Sequence, residues 1–208
     1  MSASGQETEA KFYVRDLNRI KSRLHELNAH LLQERVLETN IRFDVPGARL
    51  RAEGRVLRLR RDTSTKFTYK SASTNEQGVL SREEIEFEVE DFDKAKRFLE
   101  ALGYQKLVYY EKYRTTYALQ PSEGFVQIML DELPYGPFVE IEGETVDAIH
   151  AVADQLGLNW NTAIATSYNT LFDRARRTLN LTFQDLSFAN FADINLDATH
   201  LGVYAADL

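Results

Sequence analysis

Two periods of hydrophobic and polar residues divide this chain, and the switches between them delimit its elements. Period two opens it. Glu7, Glu9 and Lys11 of "ETEAK" share one face of a strand, while Thr8, Ala10 and Phe12 share the other. "DLNRIKSRLHELNA" then switches to helical spacing, with Leu17, Ile20, Leu24 and Leu27 on one stripe and Asp16 placed as N-cap. "RVLETNIRFDV" alternates again: Leu37, Thr39, Ile41 and Phe43 against Glu38, Asn40, Arg42 and Asp44. Pro46, Gly47 and Gly54 break the pattern. "VLRLRRD" and "KFTYKS" read as short strands joined by a tight turn at Asp62–Thr65, and "ASTNEQGVL" as a polar loop.

"SREEIEFEVE" predicts a further strand. "DFDKAKRFLEALGY" predicts a helix capped by Asp91 or Asp93, striped by Phe98, Leu99 and Leu102, and stopped at Gly103. A long strand over Gln105–Leu119 follows, then strands in "FVQIMLDEL" and "FVEIEG". Helices in "TVDAIHAVADQLGL" and "SYNTLFDRARRTL" complete the pattern. Eight strand segments precede residue 145. Their short connections favour antiparallel pairing, and about eight strands suffice to close a barrel around a small interior.

Taken strand by strand, alternation collects the charges on one face. Arg58 and Arg60 oppose Leu57 and Leu59, and Lys66, Thr68 and Lys70 oppose Phe67 and Tyr69. Arg82, Glu84, Glu86 and Glu88 oppose Ile85, Phe87 and Val89. Lys112 and Arg114 oppose Tyr109, Tyr113 and Tyr117; Asp131 shares a face with Gln127 and Met129; Glu140 and Glu142 oppose Val139 and Ile141. Two arrangements fit. An open sheet would pack its apolar face on helices and leave the charged face in water, the common antiparallel solution. A closed sheet would turn the charges inward, where each needs a partner because an unpaired buried ion is costly. The helices already need the apolar face. The charged set holds acids (Glu7, Glu9, Glu84, Glu86, Asp131, Glu140, Glu142) and bases (Lys11, Arg58, Arg60, Lys70, Arg82, Lys112, Arg114) together. Such a wall suits a polyanion held with divalent cations, since Arg and Lys match phosphate oxygens and paired carboxylates match Mg²⁺ or Mn²⁺.

Composition narrows the classes. A net charge of −7 argues against a general nucleic-acid surface. With no cysteine, disulfides and thiolate chemistry are excluded. The start "MSASGQETEAKF" lacks a signal-peptide core and no apolar run reaches the ~18 residues of a membrane span, so a cytoplasmic protein without membrane contact is expected. His25, His30, His150 and His200 form no ligand spacing, and neither GxxxxGK[ST], GxGxxG nor GxSxG occurs. Arg174, Arg176 and Arg177 read as a solvated helix end. Residues 181–208 carry Asp185, Asp193, Asp197 and Asp207 without Lys or Arg, together with Phe183, Phe188, Phe191 and Tyr204. They are expected to dock on the sheet or on a second subunit, making a homodimer a candidate state.

The ordered set of motifs resembles the CYTH superfamily, the triphosphate tunnel metalloenzymes that include class IV adenylate cyclases and thiamine triphosphatases. Glu7, Glu9 and Lys11 match its Glu-x-Glu-x-Lys hallmark; "LRLR" supplies Arg58 and Arg60, "TYK" Lys70, and "SREEIE" Arg82, Glu84 and Glu86. "EKYRTTY" supplies Lys112 and Arg114, "LDEL" with "YGPFVEIEG" supplies Asp131, Glu140 and Glu142, and "SYNTLF" resembles the Ser-Tyr helix near the domain end. The resemblance implies an α+β fold: an eight-stranded antiparallel β-barrel forming a tunnel with a charged interior and flanking α-helices. It spans about residues 5–173, giving a tunnel domain over 1–173 and a helix end and tail over 174–208. Lys11, Arg58, Arg60, Lys70, Arg82, Lys112 and Arg114 would hold a small-molecule triphosphate. Glu7, Glu9, Asp131, Glu140 and Glu142 would hold Mg²⁺ or Mn²⁺, with Glu7, Glu9 and Lys11 central to catalysis and Glu84 and Glu86 supporting. The expected reaction is metal-dependent hydrolysis of tripolyphosphate or a nucleoside or thiamine triphosphate. The alternatives are conversion of ATP to cyclic AMP and pyrophosphate, and a non-catalytic binder of organic phosphates.

Overall fold

The computed structural model describes residues 6–76, 79–121 and 124–207. Its strands are β1 (Gln6–Tyr13), β2 (His30–Asp44), β3 (Val56–Arg61), β4 (Thr65–Lys70), β5 (Thr74–Glu76), β6 (Val79–Glu88), β7 (Gln105–Leu119), β8 (Val126–Leu133) and β9 (Gly136–Gly143). All pair antiparallel. The order β1-β9-β8-β7-β2-β3-β4-β6 returns to its start because β1 also pairs with β6, placing Glu7 opposite Arg82. Eight strands therefore stand in a closed ring with helices around it, the α+β arrangement expected from the sequence.

Two strand assignments differ from the sequence reading. β5 lies where a polar loop is expected; it pairs Thr74 with Ser81 beside β4, and the buried Val79 anchors the start of β6. β2 starts at His30 rather than near Arg35. Register shifts between Leu31 and Gln33 and between Gln33 and Val36 interrupt its alternation against β7, which hides the strand from a period-two pattern. The β8–β9 connection is a two-residue hairpin at Pro134 and Tyr135. Gly136 follows it with φ +137°, and a Cβ there would meet Tyr13 Cε2 at 2.9 Å, so glycine answers both backbone and space.

The outer face of the ring is apolar, and α1 (Leu17–Glu26), α3 (Phe92–Ala101) and α4 (Val146–Gln155) cover most of it, leaving Ile85 and Phe87 of β6 exposed. Asp16 caps α1, Asp91 caps α3 and Thr145 caps α4, each side chain accepting from a first-turn backbone N–H. α1 and α4 bury Ile20, Leu24, Ile149 and Val152 against Phe12, Val139 and Ile141. α3 seats Ala95 and Leu99 on Leu59 and Phe43. The stripe expected on α3 is therefore rolled: Phe98 and Leu102 are each 60% exposed, because the spacing of four that joins Ala95 to Leu99 faces the sheet instead.

One end of the ring is closed by α2 (Arg49–Ala52), α5 (Tyr168–Leu179) and the tail with α6 (Phe188–Phe191) and α7 (Ala198–Leu201). α5 starts at the Ser167 cap, runs unbroken past residue 173, and ends at Asn180 in the left-handed region. Leu186 bridges β7, donating to the Tyr109 carbonyl and accepting from Glu111 N, both at 2.9 Å. Ala206 N donates to the Tyr13 carbonyl at 2.8 Å, and Asp207 accepts from the backbone of Arg15 and Asp16. The tail thus packs on its own ring, with Leu186 and Leu201 fully buried. No described helix is long and apolar enough to cross a membrane.

Candidate active site

Ring closure turns the charged face of every strand inward, around a cavity of about 1080 Å³. Lys11 and Glu9 from β1, Arg58 and Arg60 from β3, Lys70 from β4, and Arg82, Glu84 and Glu86 from β6 line it. Lys112 and Arg114 from β7 and Glu140 and Glu142 from β9 also line it. Asp131 stands behind this wall with no exposure. The Glu7 side chain lies outside the described residues; only its backbone pairing opposite Arg82 is described.

The acids and bases interlock. Lys11 Nζ lies 3.4 Å from Glu9 and 3.3 Å from Glu140. Arg114 reaches Asp131 at 2.6 and 2.5 Å and Glu140 at 3.3 Å; Lys112 reaches Asp131 at 3.1 Å. Glu86 lies between Arg60, Lys66 and Arg58 at 3.3, 3.3 and 3.6 Å, and Lys70 pairs with Glu84 at 3.2 Å. Burial works against the Lys11 charge, yet Glu140 and Glu9 override it and hold its pKa above the ordinary lysine value. Burial likewise opposes ionisation of Glu140, but Lys11 and Arg114 hold its carboxyl well below the usual range. Lys11 and Glu140 therefore hold each other ionised near neutral pH, and a charged Lys11 is what charge-assisted phosphate binding requires.

Several inward residues were not among the expected site residues. Glu38 on β2 lies 3.4 Å from Lys112 and faces Arg114 and Arg60 at 3.8 and 3.9 Å. Arg42 also lines the cavity from β2, and Tyr110 from β7. Tyr168 opens α5; its hydroxyl donates to Asp131 at 2.8 Å, and its ring lies beneath Lys11, 4.5 Å from Nζ. β2 carries the same alternation as its neighbours, so Glu38 and Arg42 were visible as charged-face residues; nothing in the sequence alone said that β2 closes the ring between β3 and β7. Arg176, read as part of a solvated helix end, also lines the cavity, because α5 lies across the end of the ring.

Glu38 gives a pH prediction. Burial raises its pKa, but Lys112, Arg114 and Arg60 together lower it from 4.5 to about 2. A depressed folded-state value contributes stability above the unfolded pKa that is lost as pH falls through the folded one. The window is pH 4.5 down to 2, and the loss is on the order of 3 kcal/mol. Urea unfolding across that window is expected to show a shallower fall for Glu38→Gln than for the wild type. Equal slopes would remove Glu38 from the account.

Glu9 and Glu142 are opposite each other on β1 and β9, and Glu140 is one inward position along β9, opposite Lys11. These are hard oxygen donors on adjacent strands, so they fit Mg²⁺ or Mn²⁺ in kind. Among the described residues no three acidic or histidine side chains already converge as a metal cage. Instead Glu9 and Glu140 lie on either side of the Lys11 ammonium.

A CYTH domain model matches residues 5–168 of the chain. Among solved structures, a candidate adenylate cyclase from Vibrio parahaemolyticus superposes with a TM-score of 0.70 at 21% identity, covering 81% of this chain and 99% of its own. A Pyrococcus horikoshii protein gives 0.66 at 26% identity, covering 78% and 96%. A candidate adenylyl cyclase from Hippeastrum, described as having a dominant triphosphatase activity, gives 0.59 at 18% identity, covering 80% and 95%. No curated protein matches.

Proposed function

Because this chain belongs to the CYTH domain family, we propose that it is a divalent-metal-dependent phosphohydrolase acting on a triphosphate. The observation that carries the reading is the enclosed wall, where lysines and arginines from β1, β3, β4, β6 and β7 converge on one space in a chain of net charge −7. A linear polyanion could exchange its oxygens for the carboxylates that now pair with Lys11, Arg60, Lys70 and Arg114. In hydrolysis, water attacks the terminal phosphorus, the bond to the bridging oxygen breaks, and orthophosphate leaves with one fewer phosphate on the chain. Phosphoryl transfer needs chiefly positioning and charge stabilisation. Arg114 and Lys112 supply the second and are aimed by Asp131, which Tyr168 holds in turn. Glu9, Glu140 and Glu142, with Glu7, would hold the metal, whereas Asp131, which the resemblance also puts in that set, is engaged behind the wall by Lys112, Arg114 and Tyr168. A divalent ion held there would supply further neutralisation of phosphate oxygens. Lys11, now paired with Glu9 and Glu140, is placed to pair with phosphate.

One observation favours a second reading. The cavity volume, about 1080 Å³, lies at the upper end of small-molecule pockets and exceeds what a bare triphosphate fills. A nucleoside has room, and attack of a ribose 3′-hydroxyl on the α-phosphorus would yield cyclic AMP and pyrophosphate. The test is a panel of tripolyphosphate, ATP and thiamine triphosphate with Mg²⁺ or Mn²⁺, reading orthophosphate, pyrophosphate and cyclic AMP together. Orthophosphate from tripolyphosphate is expected. Cyclic AMP from ATP would replace the lead reading, and binding without product would leave a phosphate binder.

A further inference from the structure

The two-signed web along the wall breaks down at Arg42. The residue faces inward from β2 near α2, its side chain half-buried and its Nε fully so. Among the described residues no carboxylate pairs with it. The charges acting on it are those of Arg51, Arg58 and Arg82, together with the Tyr110 hydroxyl, and its Nε is buried without an acceptor. Asp44, the nearest acid along the same face, is committed elsewhere. Its Oδ1 accepts from Val45 N and Leu50 N and its Oδ2 from Arg51 N, which holds α2 in place. Arg51 is in turn tied to Asp173 of α5 at 2.5 Å, so the ends of β2, α2 and α5 meet beside Arg42.

Burial and three like charges hold the Arg42 pKa below the ordinary arginine value. They outweigh the favourable influence of Tyr110, so the charge costs folding energy that no carboxylate among the described residues offsets. A bound anion would offset it, and a guanidinium matches phosphate oxygens in shape as well as charge. Tyr110 and Arg58 line the cavity beside this point, presenting a hydroxyl and a second guanidinium to the same space.

We propose that Arg42, with Arg58 and the Tyr110 hydroxyl, forms an anion subsite at the α2–α5 end of the cavity that binds one phosphoryl group of the substrate. The subsite rests on the reading of the cavity as a triphosphate site and adds a contact that the charged motifs did not include. Its occupant is a phosphoryl oxyanion at the end of the cavity closed by α2 and α5.

A role in folding and a role in binding predict opposite stability changes, which makes the test decisive. Arg42→Gln and Arg42→Lys are compared with wild type by titration calorimetry with tripolyphosphate and Mg²⁺, and by thermal unfolding with and without that ligand. Arg42→Gln without ligand is expected to melt at or above the wild-type temperature, since an uncompensated charge is gone. Its tripolyphosphate affinity should fall about ten- to a hundred-fold, the range of one to two charge-assisted hydrogen bonds. Arg42→Lys, which keeps the charge and loses the fork, should fall between. Wild-type affinity in both variants, or a lower melting temperature of Arg42→Gln with undiminished ligand-induced stabilisation, would overturn the subsite while leaving the triphosphate reading intact. A wild-type protein that gives no heat with tripolyphosphate would overturn the triphosphate reading itself, and the subsite with it.

Discussion

Asp131→Ala is expected to lower the free energy of unfolding by about 3–5 kcal/mol, the range for breaking a buried ion pair from one side. Asp131 has no exposure, and four donor contacts converge on it: Arg114 Nε and Nη2, Lys112 Nζ and the Tyr168 hydroxyl, at 2.6, 2.5, 3.1 and 2.8 Å. Removing the carboxylate takes away the partner shared by two cations and a hydroxyl, leaving the cations only the longer pairs with Glu38 and Glu140. The bidentate pair between Arg35 and Glu132 is an internal control. Its contacts, at 2.7 and 3.0 Å, are comparable, but the side chains are 50% and 40% exposed. Glu132→Ala should therefore cost no more than about 1 kcal/mol. Urea denaturation of the two variants separates burial from geometry. A loss under 1 kcal/mol for Asp131→Ala would mean that Tyr168 and the two cations do not depend on this carboxylate.

Glu9→Gln should reduce metal-dependent orthophosphate release from tripolyphosphate by about a hundred-fold or more, the scale seen when one preorganised electrostatic group is removed from a reacting centre. The substitution keeps the shape of the side chain and deletes the charge that a divalent ion would need. The fold should survive, because Lys11 keeps Glu140 at 3.3 Å and the apolar outer face of β1, Ala10 and Phe12, is untouched. Two measurements check this: turnover against Mn²⁺ concentration, and near-UV circular dichroism. Undiminished turnover at saturating metal with a native spectrum would remove Glu9 from the metal set.

Much of this molecule was legible in the chain. Each strand of the ring carries its own alternation, and parity alone sorted Lys11 from Phe12, Arg58 from Leu59 and Glu140 from Ile141 onto the faces they occupy. Asp16 and Asp91 marked helix starts by the chemistry of their caps. Where alternation failed, as in the bulged start of β2, the strand was missed, and the exposed Phe98 and Leu102 show that an apolar stripe does not say which part of it will meet the sheet.

What the sequence by itself determined is local: which residues alternate, where helices begin, and that one face of the strands is ionic. Parity is a property of neighbouring residues, so it needs no knowledge of the fold. Whether that ionic face meets water or encloses a cavity was decided only by the pairing of β1 with both β9 and β6, contacts between residues as far apart as Glu9 and Glu142. Tertiary structure also chose the partners within the wall. It placed Tyr168 under Lys11, sealed Asp131 behind Arg114, and left Arg42 beside other arginines, because charge balance in a closed space depends on which strands face each other across it.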